Sequence, residues 1–216
     1  MAGNGGGGDD RYGHHPSSSG KIIAFDLDPI RFKRLCKNVS HCGADKIVSP
    51  ELRDFLSVDP REEARFGEVR GILLDPSCSG SGTVHSRGDT LLNLNVSPLS
   101  SASSSQKKEM TEAEKRRVDT LAAFQEKCLR HALNFPRVER VVYSTCSIHV
   151  RENEMVVASV LAEAERLGFA LHRALPQWPR RGFPLFDGCE KLVRVNPNKD
   201  KTDGFFLALF VKKCDQ

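Results

Sequence analysis

Short apolar runs alternate with amphipathic stretches over most of this chain. Ile22-Ile23-Ala24-Phe25 is a compact apolar run that ends in Asp26-Leu27-Asp28 and predicts a strand. Phe32, Leu35, Cys36 and Val39 then recur at helical spacing. Asp28 suits the N-cap, Pro29 the first helical position and Gly43 the stop. Lys46-Ile47-Val48 reads as a short strand and Leu52 to Leu56 as a loop or single turn. Residues 57–70 are polar and read as a surface helix or loop, before Gly71-Ile72-Leu73-Leu74 as the next strand. A helix is expected from about Thr111 to Leu133, with Val118, Leu121, Ala122, Cys128, Leu129, Ala132 and Leu133 largely on one face, and Pro136 ends that region. Val141-Val142-Tyr143 is a strand run that stops at Ser144. Met155, Val156, Val160, Leu161, Ala164 and Leu167 mark a further helix closed by Gly168. Phe169-Ala170-Leu171 reads as a short strand, and 192–195 and 204–211 as an antiparallel closing pair. Strands alternating with helices indicate an α/β fold with a mostly parallel, doubly wound sheet.

Two stretches break this rhythm. Residues 1–20 are rich in Gly, Ser and His with almost no apolar content, and are expected to be disordered; His14-His15 there makes only a weak metal site. Residues 83–113 include a serine-rich low-complexity run and are expected to form a flexible excursion from the sheet edge. The 216 residues suffice for one domain with tails, and 39% hydrophobic against 28% charged residues allows a real core. A net charge of +4 is compatible with nucleic acid without arguing for it. Export and membrane spanning are disfavoured, because no secretory apolar region or long apolar run appears.

The seven cysteines, an odd number without a CxxC pair, give no disulfide framework and no structural zinc pattern. Free thiols in a reducing compartment fit best. Cys128 falls on the apolar helix face and reads as packing. Cys78 and Cys146 differ. Each follows a strand run closely, Cys78 in Asp75-Pro76-Ser77-Cys78-Ser79-Gly80-Ser81-Gly82 and Cys146 in Ser144-Thr145-Cys146-Ser147. Open α/β sheets place ligands at that end of their strands, so both thiols are expected at one sheet edge. One, activated by a helix N-terminus or a nearby cation, can attack carbon 6 of a pyrimidine and make carbon 5 nucleophilic toward a methyl donor; the second can assist release. Asp75 can hydrogen-bond the cytosine edge. The competing reading is two small buried thiols.

Asp26, at the end of an early strand, is a candidate acceptor for ribose hydroxyls, or else a turn or cap carboxylate. Asp54 is a candidate neighbour of a nucleotide base. Arg31, Lys33, Arg34 and Lys37 read as a solvated helix surface. Trp178 beside Arg180 and Arg181 either stacks bases and holds phosphate or plugs the core.

DPSCSGSG at 75–82 together with YSTCS at 143–147 resembles the Nop/Sun (RsmB-type) family of RNA cytosine carbon-5 methyltransferases, which carry two cysteines on separate motifs. IIAFDLD at 22–28 and TDGFFLALF at 202–210 look like family motifs in the expected order. ILLDPSCSGSG and the LPxWPxRG stretch at 175–182 are most similar to the subgroup acting on large-subunit ribosomal RNA. The resemblance implies a Rossmann-like class I S-adenosylmethionine-dependent methyltransferase sheet over 21–213, interrupted at about 83–113. It implies Cys146 as nucleophile, Cys78 as the helper in product release, and Asp75 between methyl donor and cytosine. Asp26 would bind the ribose of S-adenosylmethionine, with Arg31, Asp54 and Asp75 at further cofactor contacts. RNA is the expected partner, a monomer the expected state, and nucleus, nucleolus or cytoplasm the expected compartment.

One departure stands out. The family places a strand and a Pro-Gly loop ending in Lys-Thr before the segment matching 22–28, and residues 1–20 hold nothing similar. The family's N-terminal RNA-binding region has no counterpart either. The expected domain is therefore partial and lacks the first central strand, so weak cofactor binding and a fold at risk in isolation are expected. A non-catalytic relic that binds RNA or a ribosome-assembly partner is the alternative. A thiol redox protein fits poorly, since the two cysteines lie far apart without a CxxC.

Overall fold

The computed structural model describes residues 20–83 and 110–213. The expected disordered tail, His14-His15 and most of the 83–113 excursion lie outside the described residues. The chain divides into two compact units, the first ending at Val58 and the second running from Asp59.

In the first unit, β1 (Ile22–Asp26) pairs in parallel with β2 (Val48–Leu52), Ile22 opposite Val48 and Asp26 opposite Leu52. Helix α1 (Pro29–His41) connects them. Its start follows the sequence reading: the Asp28 carboxylate accepts from the backbone N–H of Ile30 at 2.9 Å and of Arg31 at 2.8 Å. Past its end Gly43 takes φ +64°, a left-handed conformation that a side chain would strain. The strand expected at 46–48 is a correction. The N–H groups of Ile47 and Val48 both bond to the Ala44 carbonyl and complete a turn, so the ladder begins only at Val48. It also runs through Pro50, which β2 accommodates because β1 is its one strand partner among the described residues. The segment after β2 is a single 3-10 turn, Phe55–Ser57, capped by Asp54.

The second unit holds a five-stranded sheet. Its order is β3 (Gly71–Leu74), β4 (Arg140–Thr145), β7 (Phe205–Lys212), β5 (Phe169–His172), with β6 (Val193–Val195) also paired to β7. β3 and β4 are parallel, Leu74 opposite Tyr143, while β7 runs antiparallel to β4, β5 and β6. β4 continues to Thr145, two residues beyond the apolar run, because Ser144 and Thr145 keep their ladder with Leu207 and Phe206. Among the described residues, the helices of this unit are α2 (Glu63–Phe66), α3 (Glu112–Leu133), α4 (Glu154–Arg166) and α5 (Pro197–Asp200). A capping box opens α3: Thr111 Oγ1 accepts from the Glu114 N–H, and the Glu114 carboxylate accepts from the Thr111 N–H. α3 packs on α4 and against β3 and β4. Leu129, Leu133, Tyr143, Phe169, Phe206 and Phe210 are buried, and Tyr143 meets Phe206 edge to face. Among the described residues, β3 has β4 as its one strand partner, and Leu73 on it is 77% exposed. No helix among the described residues is long and apolar enough to cross a membrane.

Candidate active site

Parallel pairing of β3 with β4 makes both strands end on the same side of the sheet. The loops that follow them, 75–82 and 146–150, therefore run together. The two cysteines foreseen at this edge meet there: Cys78 Sγ lies 3.2 Å from Cys146 Sγ. The backbones of the two loops also lock. The Gly82 N–H donates to the Cys146 carbonyl at 2.9 Å, and the Gly204 N–H donates to the Gly82 carbonyl at 2.8 Å. A side chain at Gly82 would place its Cβ 2.4 Å from the Gly204 carbonyl oxygen and 2.8 Å from that of Cys146. Glycine is required here by backbone approach.

Burial and the contact with Cys146 push the Cys78 thiol up to about 12. Cys78 thus keeps its proton at neutral pH, and its S–H can be directed at the Cys146 sulfur. Asp75, just beyond β3, stands above the ordinary carboxylate value because its carboxyl is partly desolvated, with a hydrogen bond from Ser144 opposing the rise.

Under the cysteines lies a buried polar network that sequence reading missed. Glu152 closes a 3-10 turn, Val150–Glu152, and is fully buried. One carboxylate oxygen accepts from the Ser79 N–H at 2.8 Å and from Gln125 Nε2 at 3.0 Å. The other accepts from the hydroxyls of Ser79 and Ser147, each at 2.6 Å. Burial pushes Glu152 up, but the hydrogen bonds from Ser147, Ser79 and Gln125 outweigh it, and its carboxyl lies below the usual range. The next residue, Asn153, accepts from Thr145 Oγ1 at 2.6 Å and donates to the Ser147 carbonyl at 2.9 Å. Glu154 pairs with Arg194 of β6 through bonds of 2.6 and 2.5 Å and accepts from the Phe183 N–H at 3.0 Å. Arg194 in turn donates to the Ile148 carbonyl at 3.0 Å. Three consecutive side chains thus hold the Cys146 loop from three directions. Three polar residues in a row before a helix were the only sequence signal for this.

The remaining candidates lie in the first unit, at the ends of β1 and β2. Arg31 Nε lies 3.2 and 3.1 Å from the two oxygens of Asp26, and Nη2 adds a 3.0 Å bond. The Arg31 bonds hold the Asp26 carboxyl below its ordinary value. Asp54 accepts from the Leu56 N–H at 2.9 Å. Parallel pairing brings Asp26 and Asp54 to the same end of the β1–β2 sheet, and both carboxylates retain acceptor capacity beyond these bonds. Such a pair suits ribose hydroxyls and an exocyclic amine.

In the loop around Trp178, the indole N–H donates to the Arg194 carbonyl at 2.9 Å. Arg180 pairs with Asp200, and Arg181 donates to the carbonyls of Ala174, Leu175 and Pro176. The Trp178 indole, the Arg180 guanidinium and both terminal nitrogens of Arg181 thus bond within the protein, which favours the packing reading.

Comparison with known proteins identifies the family. A family model described as 16S rRNA methyltransferase RsmB/F matches residues 14–211. The 25S rRNA (cytosine-C(5))-methyltransferase NSUN5 of Arabidopsis thaliana is 50% identical over 193 residues, 89% of this chain and 32% of the relative. A 28S rRNA (cytosine-C(5))-methyltransferase of Mus musculus is 40% identical over 193 residues, covering 89% of this chain and 37% of the relative. The chain thus spans about a third of the length of the curated relatives it matches. Among solved structures, NSun6 from Pyrococcus horikoshii with SFG superposes with a TM-score of 0.58 at 25% identity, over 91% of this chain and 42% of that one. A methyltransferase homolog protein from the same organism gives 0.60 at 23% identity, over 90% and 54%, and shows the Rossmann-like fold alone. With the family model matching nearly all of its residues, and the paired-cysteine motifs of the Nop/Sun group in order, the chain belongs to the RsmB/F family of methyltransferases.

Proposed function

We propose that this chain carries the chemistry of S-adenosylmethionine-dependent methylation of cytosine carbon 5 in RNA, with ribosomal RNA as substrate. The observation that carries this reading is the Cys78–Cys146 pair, 3.2 Å apart beyond the ends of adjacent parallel strands. The names of the relatives, which specify cytosine in ribosomal RNA, support the substrate class. The related NSun6 structure is named with SFG, an S-adenosylmethionine analogue, which supports the cofactor. The nucleus, and within it the nucleolus, is the compartment this substrate implies.

Cys146 acts as the nucleophile. Its thiolate adds to carbon 6 of the cytosine, and the ring electrons make carbon 5 nucleophilic. Cys78, held protonated by its surroundings, donates its S–H to the Cys146 sulfur. This contact favours the thiolate before attack; after methyl transfer carbon 5 loses its proton to a base from solvent, the carbon–sulfur bond breaks, and the contact stabilises the departing Cys146 thiolate. Asp75, whose carboxyl is partly desolvated and accepts from Ser144, holds the cytosine edge. S-adenosylmethionine, when bound, supplies an electrophilic methyl group on a sulfonium. Asp26 would hold its ribose, Asp54 would face the adenine, and Arg31 would fix the Asp26 carboxylate in orientation.

Trapping with RNA containing 5-azacytidine tests this reading. The chain should form a denaturation-stable adduct, which Cys146→Ala abolishes and Cys78→Ala retains and prolongs. Loss of the adduct in Cys78→Ala with its survival in Cys146→Ala would reverse the two roles. Calorimetry with S-adenosylmethionine tests the cofactor half, where Asp26→Asn should reduce whatever binding the parent chain shows.

A further inference from the structure

We propose that Glu152 is a positioning residue that sets the register of the two cysteine loops and so holds Cys78 against Cys146. The proposal rests on the cysteine chemistry above for its meaning, but not for its test. Ser79 follows Cys78 and Ser147 follows Cys146, and both serines donate to the same buried carboxylate. Ser79 is bound twice, through its backbone N–H and through its hydroxyl. Residues 68 apart in sequence are thereby tied by one side chain, each tie one residue away from a sulfur. Glu152 itself is fixed from behind. The Tyr143 hydroxyl donates to its carbonyl at 2.5 Å, and Gln125 Nε2 reaches both its carboxylate and the Ser77 carbonyl, each at 3.0 Å. Glu152, Tyr143, Ser147 and Gln125 are all fully buried, so the bonds among these four form where water cannot replace them, while those to Ser79 are part-buried.

All four partners of this carboxylate are donors. Two of them are N–H groups, which can only donate, and the Gln125 amide keeps its NH₂ toward Glu152 because Nε2 also donates to the Ser77 carbonyl. Ser147 Oγ already accepts from the His149 N–H at 3.0 Å, which leaves its proton free for Glu152. An ionised carboxylate is the one side chain of this length that accepts from all four at once. Glutamine keeps an oxygen for the two N–H donors but presents an NH₂ to two hydroxyls, which must reverse. Alanine removes the acceptor of the part-buried Ser79 N–H and leaves Gln125 Nε2 with the Ser77 carbonyl alone. The Gly82 N–H bond to the Cys146 carbonyl does not involve Glu152, so the loops stay tethered when it is removed, and only their register is released.

The test is iodoacetamide labelling of each cysteine at about pH 8, read residue by residue by mass spectrometry on the full chain. Cys78 is part-buried against Cys146, whereas Cys128 and Cys189 are buried elsewhere and report global opening. Glu152→Ala should raise Cys78 labelling about tenfold or more while Cys128 and Cys189 stay protected. Glu152→Gln should raise it only about threefold, and it carries the test if the alanine variant does not fold. An unchanged Cys78, or a rise shared equally by Cys128 and Cys189, overturns the proposal in favour of a merely structural carboxylate. In the 5-azacytidine assay the same variants should lose adduct rate in the same order. A parent chain that forms no adduct defeats the methyltransferase reading and leaves the labelling result standing.

Discussion

The two units of this chain use their carboxylates in opposite ways. In the first, Asp28, Asp54 and Asp26 bond to groups two to five residues away, and all stay in contact with solvent. In the second, Glu152 and Glu154 are fully buried and reach partners 73 and 40 residues away. The apolar side differs in parallel. Val39 and Val58 are the buried hydrophobic residues of the first unit, whereas Ile22, Ile30, Ile47 and Leu52 are exposed; the second unit buries a series of aromatic and aliphatic side chains completely. The lesson is that a local carboxylate shapes one turn, while a buried long-range one decides which loops meet. Only the second kind can hold two catalytic groups from distant sequence at fixed separation, because its partners lose more if they part.

The largest effect should come from breaking the long-range kind. Glu154→Ala strands the Arg194 guanidinium, itself buried and seated over the Phe183 ring, and removes the acceptor of the Phe183 N–H. We expect a loss of about 3–5 kcal/mol in urea unfolding. Replacing Glu154 and Arg194 together by methionine should recover most of it, since the cost lies in the orphaned charge and not in the missing pair. A double variant as unstable as the single one would mean that the pair contributes attraction beyond its own desolvation. Asp28→Ala, the matching change in the first unit, removes one helix cap and should cost about 1 kcal/mol. If the two single variants lose equal stability, the contrast between the units fails.

This contrast also explains what was legible. Cys78 and Cys146 could be placed together because each follows a short apolar run, and successive parallel strands end on one side. Asp28, Gly43 and the Thr111 start were legible because caps are local chemistry. β2 was misplaced because Val48-Ser49-Pro50-Glu51-Leu52 lacks an apolar run and contains a proline, and its strand state depends on pairing with β1. Glu152 was invisible for the converse reason. Its sequence surroundings show an acid before a helix, and its four partners lie on α3, on the Cys78 loop and on the Cys146 loop. Periodicity reports which face is buried; it carries no information about which buried polar group answers which.

The smallest effects should separate two aspartates by sign. The bonds from Arg31 hold Asp26 below its unfolded value, so its contribution is present above the ordinary carboxylate pKa of about 3.9 and is lost as pH falls through the lower folded value. Asp75 is the reverse: desolvation raises its folded value, so the native state takes up its proton first, and the charged form costs stability at neutral pH. At about pH 7, Asp26→Asn should lower the urea midpoint and Asp75→Asn should raise it. Each change should amount to less than about 1 kcal/mol, since both groups are screened by solvent. On acidification the Asp75→Asn difference should fade first, as the pH falls from its raised folded value to the unfolded one, and the Asp26→Asn difference only below the unfolded value. Asp75 then carries a small stability cost at the position where the proposed chemistry needs a carboxyl beside the cytosine edge. An Asp75→Asn variant with a lowered midpoint would mean that the Ser144 hydrogen bond outweighs desolvation, and that Asp75 is held as firmly for structure as Asp26 is by Arg31.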